Sequence, residues 1–221
     1  MDNEQIHDTL TEINERFDAG EHERSLELCT MLKQAMLDAE PHCDPMLLGW
    51  VRFYEFKSLY ELGKHQEAFD LLNRPESRSF VVGTRNAAFM YSVGSELAMH
   101  LGLPDEVVRL GGLCLDLRIK GDDPLSAVQC ASTVCELLRR MERDELNTRF
   151  ARYLLEVGRE HGAERPLILG LRCLARSAEQ SGDEAIRREV DETLPELEAL
   201  RHGEFADEVE SALEAIASGT D

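Results

Sequence analysis

Apolar residues recur along this chain with the period of a helix. Ile6, Leu10, Ile13 and Phe17 stand at i, i+4, i+7 and i+11 and make one stripe. Leu26, Leu28, Cys29, Leu32, Ala35 and Met36 make a second. No sustained strand-like alternation occurs; the nearest candidate, Phe80-Val81-Val82, is three residues long. Breakers fall between the stripes, among them Gly20, Pro41, Pro45, Gly63, Pro75, Gly83, Gly102, Pro104, Gly121, Pro124, Gly162, Pro166, Gly182 and Gly203. Asp44-Pro45 and Asp123-Pro124 read as an N-cap followed by a first-turn proline. The pattern predicts an all-α fold of about eleven helices joined by short loops. The longest break is residues 73–86, NRPESRSFVVGTRN, either a slack connection or a docking loop.

One punctuation mark repeats. FDAGEHERSLELC turns at Gly20, YELGKHQEAFDLL at Gly63, MHLGLPDEVVRLG at Gly102 and EQSGDEAIRREVD at Gly182. The spacings are 43, 39 and 80 residues, the last being twice 40. The missing turn belongs near residue 142, where RRMERDELNTRFARYLL keeps the helix–turn–helix pattern with Glu142 in the glycine's place. A two-helix unit recurring at this period is the mark of an α-solenoid, because one hairpin cannot bury both its apolar faces alone.

These turns resemble those of the tetratricopeptide repeat. In that family a glycine closes helix A and a small residue four to five positions on lets helix B approach closely. Ser25 and Ala68 hold that place in the first two units; Val107, Asn147 and Arg187 hold it in the next three. The family's helix A pattern of Trp, Leu-Gly and Tyr is absent, and the period here is longer. The resemblance implies one domain over residues 1–221, a right-handed superhelix of five tetratricopeptide-like hairpins. The hairpins fall at about 3–40, 44–74, 83–120, 124–161 and 165–201, and a capping helix at 204–217. In that capping helix Phe205, Val209, Leu213 and Ile216 form a single narrow stripe.

The same resemblance implies a concave groove lined by A helices. Its positions fall on Trp50, Phe53, Lys57 and Tyr60 in the second unit and on Phe89, Glu96 and Met99 in the third. In the fourth they fall on Gln129, Glu136 and Arg139, with Arg140 alongside, and in the fifth on Arg172 and Arg176. Aromatics supply rigid contact area and arginines forked hydrogen bonds, so such a groove suits a peptide with apolar anchors and an acidic group or free C-terminus. The competing reading is that Trp50 and Tyr60 belong to the core of an all-round apolar helix and that the arginines are ion-paired surface residues. The asparagines of a co-chaperone carboxylate clamp are not evident.

Charge narrows the partners. The 221 residues carry a formal charge of −20, which repels a phosphate backbone and an anionic bilayer. A partner is therefore expected to be a protein or peptide, with neither nucleic acid nor membrane, and a homodimer is possible. No apolar run approaches the roughly 18 residues a membrane span needs, and the acidic N-terminus is unlike a signal peptide, so a cytoplasmic location is expected. The six cysteines, 29, 43, 114, 130, 135 and 173, include no CxxC pair and mostly sit in apolar stripes. They are expected to be reduced, buried thiols. PHCDP at 41–45 is rich in ligand types, but no second pair lies at zinc spacing, so neither metal nor cofactor is expected. Nucleophile, phosphate-loop and metalloprotease motifs are all missing, and Gly111-Gly112 reads as close helix packing. The expectation is a non-enzymatic adaptor or scaffold. Its rivals are a ligand- or peptide-sensing regulatory domain and a self-associating structural protein.

Overall fold

The structure is a computed structural model, and it describes residues 3–38, 44–73, 84–121 and 124–218. Among these there are eleven α-helices and no strand. In order they are α1 (Asn3–Asp18), α2 (His22–Asp38), α3 (Pro45–Glu61), α4 (His65–Asn73), α5 (Thr84–His100) and α6 (Pro104–Lys120). There follow α7 (Pro124–Arg140), α8 (Asp144–His161), α9 (Glu164–Ser181), α10 (Glu184–Ala199) and α11 (Ala206–Ser218). The chain divides into two compact units, residues 1–97 and 98–221. No described helix is long and apolar enough to cross a membrane. His42, Cys43 and most of the 73–86 break lie outside the described residues.

Several of the turns share one backbone conformation. Gly20, Gly63, Gly102 and Gly182 have φ of +77°, +68°, +72° and +64°, values that favour glycine because it has no Cβ. Glu142 has φ +55°, the one positive φ of a non-glycine residue among those described. Its turn has the same pair of backbone bonds as those at Gly20, Gly63 and Gly102. The amides of Glu142 and Arg143 donate to the carbonyls of Arg139 and Leu138, each at 3.0 Å. Gly63 and Lys64 do the same to Tyr60 and Leu59, at 3.0 and 2.9 Å. This paired capping satisfies carbonyls that would otherwise be orphaned at the helix end. At α3, Asp44 caps the helix as its sequence predicts, its Oδ1 accepting from the Met46 amide at 2.8 Å.

Four of the five positions that follow the turns are buried. Ser25, Ala68 and Val107 are fully buried, and Asn147 is 6% exposed. Arg187 is exposed, and the neighbouring Ile186 takes the inward place in the last hairpin. In unit 1, α1, α2 and α3 pack on one another around Ile13, Leu32, Met36 and Val51. Ser58 donates to Ser25 Oγ at 3.2 Å, and Ser25 donates to the Ile13 carbonyl at 3.3 Å, so the buried hydroxyls of α2 and α3 are satisfied.

In unit 2 each helix packs on its neighbour and several pack on the next but one: α6 on α8, α7 on α9, α9 on α11. Glycines permit the closest approaches. A Cβ on Gly170 would lie 2.9 Å from the Ala151 carbonyl oxygen, and one on Gly111 would lie 2.1 Å from Val134 Cγ2. Contacts between alternate helices recur at nearly constant sequence separation. Tyr153 donates to Asp116 and Arg152 to Glu189, both 37 residues apart, and Cys135 meets Cys173 at 38. The capping helix α11 closes the unit through Val209, Ala212 and Leu213 against α9.

Candidate functional site

The predicted site residues separate by unit. Trp50, Phe53, Lys57, Tyr60 and Phe89 lie in unit 1; Arg139, Arg172 and Arg176 lie in unit 2.

In unit 1, α3 gathers an aromatic cluster. Trp50 is half-buried, its ring 5.7 Å edge-on from Phe53 and 6.3 Å stacked from Tyr54. Phe53 is only 7% exposed and forms the floor, with Phe89 of α5 at 6.2 Å and 38% exposed. Lys57 crosses this cluster. Its Nζ lies 4.0 Å from the centre of the Phe17 ring, 5.4 Å from Phe53 and 5.6 Å from Tyr54. Burial lowers the Lys57 pKa, against the pull of Asp18 and Glu61. The rings thus already hold a cation supplied by their own chain. Tyr60 stands apart from them, half-buried and stacked on His65 at 6.0 Å.

In unit 2 the three predicted arginines come together. Arg139, Arg172 and Arg176 line one cleft of about 210 Å³ between α7, α8 and α9. Arg172 and Arg176 are half-buried and one turn apart on α9. Arg139 is exposed and grips Glu136 with two bonds, at 2.8 and 2.9 Å. This bond holds the Glu136 carboxyl below its usual pKa, helped by the charges of Arg139, Arg140 and Arg176. One carboxylate therefore faces three guanidiniums in the cleft, in a chain whose overall charge is strongly negative.

Asn147 adds what the turn pattern concealed. The position passes in sequence for an imperfect helix-contact residue, yet its side chain also lines this cleft. Its buried Oδ1 has no hydrogen-bond partner. An orphaned buried polar atom is costly, and the carboxamide can turn either donors or an acceptor toward an incoming group.

A second cleft of about 300 Å³ adjoins the first, sharing Ser132, Leu169 and Arg172. Its apolar wall is Val128, Ile168 and Leu169. Its charge is already balanced: Arg165 donates to Glu208 at 2.6 and 3.1 Å and lies 4.2 Å from the Phe205 ring. The combined surface is an apolar strip ending in a cationic pocket. Among the described residues no group of three or more His, Cys, Asp or Glu is placed to hold a metal ion. No protein-family model matches the chain, and no curated protein matches it either.

Proposed function

We propose that this protein is a non-enzymatic interaction module, built of tetratricopeptide-like hairpins, that takes a short acidic peptide or a free peptide C-terminus. The receptor is the cleft of Arg139, Arg172 and Arg176. The observation that carries this reading is the local reversal of charge. Three guanidiniums and a buried carboxamide whose Oδ1 has no hydrogen-bond partner converge on one cleft of a strongly acidic chain. Guanidinium forks match a carboxylate in shape and charge, and such bonds contribute about 1.5–3 kcal/mol each. The adjoining wall of Val128, Ile168 and Leu169 suits an apolar side chain beside that carboxylate. A long polyanion is disfavoured, because the chain as a whole carries a formal charge of −20.

The test is a fluorescence-anisotropy titration of a peptide library in paired forms, with a free C-terminal carboxylate and with the terminal amide. The expected outcome is that the tightest binders carry an apolar residue beside the carboxylate. Their amides should bind at least about tenfold more weakly, as the loss of one charged hydrogen bond requires. Equal binding of acid and amide forms throughout the library refutes the reading.

A further inference from the structure

Cys135 of α7 and Cys173 of α9 lie with their sulfurs 3.3 Å apart, within hydrogen-bond contact, on the wall of the arginine-lined cleft. We infer that these two thiols are a peroxide-responsive pair, which a hydroperoxide converts to an intramolecular disulfide between α7 and α9. The inference holds whether or not the cleft takes a peptide carboxylate.

Cys114 and Cys130 also hydrogen-bond to each other but are both buried, so three observations taken together single out Cys135 and Cys173. The first is proximity. A disulfide needs its sulfurs about 2.05 Å apart, so closure asks for an approach of about 1.3 Å between side chains on helices that already pack together. The second is access. Cys173 is half-buried on an open cleft, while Cys29 and Cys114 are fully buried and Cys130 is 6% exposed. The third is charge. Arg172 adjoins Cys173 in sequence and Arg176 lies one turn away, and both line the same cleft. Cationic neighbours favour the thiolate, which is the reacting form. The hydrogen bond with Cys173, and then burial, push the Cys135 thiol well up, and Cys173 is the more exposed of the two sulfurs, so a peroxide meets Cys173 first.

The chemistry follows in two steps. The Cys173 thiolate attacks one peroxide oxygen, the O–O bond breaks, and the alcohol or water fragment leaves with the thiol's proton. Cys173 is now a sulfenic acid. Cys135 then attacks that sulfur, the S–O bond breaks, and water leaves carrying the Cys135 proton. Two thiols give up two electrons to one peroxide, and the products are a disulfide, one alcohol (or water) and one water. With Cys135 at 3.3 Å, the sulfenic acid is trapped before a second peroxide can oxidise it further.

The experiment treats the reduced full chain with stoichiometric hydrogen peroxide, counts free thiols, and maps linked peptides by mass spectrometry. Fragment spectra must separate Cys130 from Cys135, which share one tryptic peptide. The expected result is a fall from six thiols to four per chain, a single Cys135–Cys173 link, and full recovery with dithiothreitol. Cys173→Ser, a change at a half-buried site, should retain all five of its thiols under the same treatment. Six thiols surviving in the wild type, a link through any other cysteine, or thiol loss in Cys173→Ser as fast as in the wild type would each overturn the inference.

Discussion

Replacing Glu142 with glycine should stabilise this protein, although it deletes a side chain. Glu142 has φ +55° and stands where three other hairpins have a glycine with the same backbone bonds. A left-handed conformation costs a residue with a Cβ about 1–2 kcal/mol, because Cβ crowds the following carbonyl. Glycine removes that cost but brings a more flexible unfolded chain, worth about 0.5–1 kcal/mol in the opposite direction. The Glu142 side chain is exposed, so little packing is lost. The net expectation for Glu142→Gly is a gain of about 0.5–1 kcal/mol. With a urea m-value of about 2 kcal/mol/M, that raises the unfolding midpoint by about 0.25–0.5 M. Glu142→Ala is the control, since alanine keeps the Cβ and should give no such gain. Urea unfolding followed by far-UV circular dichroism measures both. Hydrogen exchange over residues 124–161 locates the effect in unit 2. A Glu142→Gly midpoint at or below the wild type would refute the argument that this turn is strained in the way its glycine counterparts are not.

Other outcomes follow from the same geometry. Gly111→Ala should cost about 1–3 kcal/mol, since its Cβ would sit 2.1 Å from Val134 Cγ2. Gly112→Ala, one residue on, meets its nearest atom, on the Tyr153 ring, at an ordinary 3.7 Å and should gain about 0.5–1 kcal/mol of helix propensity; thermal melts of the two variants should move in opposite directions. Tyr153 is raised well above its ordinary pKa of 10.0, by burial first and then by its 2.5 Å bond to Asp116. The folded state therefore favours the neutral phenol. That stabilisation is complete below pH 10 and is lost as pH rises toward the folded pKa. A spectrophotometric tyrosinate titration should lose its latest step in Tyr153→Phe; loss of an ordinary step instead would contradict the assignment.

Much of the fold was legible because turns are local. A glycine at the end of a stripe, with an apolar or small residue five positions on, needs only three or four residues to be recognised, and Gly20, Gly63 and Gly102 all adopt the expected conformation. Glu142 was legible only through the period, because nothing in its own chemistry announces a left-handed residue. The site was legible in part. Groove positions taken from the tetratricopeptide resemblance placed Arg139, Arg172 and Arg176 on one surface, and they do line one cleft. Those positions did not reveal that Phe53 is buried, or that Lys57 already occupies the aromatic faces around it. Asn147 and the Cys135–Cys173 pair were missed for another reason. Each depends on how far α7, α8 and α9 rotate against one another, and a spacing of 38 residues carries no rotation angle. The only signal for the thiols was a spacing close to the 40-residue period of the turns.

The most direct measurement of the central claim is an isothermal titration of the tightest free-carboxylate peptide against three proteins: wild type, Arg172→Ala/Arg176→Ala, and Trp50→Ala. The account predicts that the double arginine variant loses at least about tenfold in affinity, the minimum for losing one charged hydrogen bond. Trp50→Ala, in the other unit, should bind as the wild type does. Retained affinity in the arginine variant, or affinity lost in Trp50→Ala alone, would contradict the account and move the receptor site to the aromatic cluster of α3.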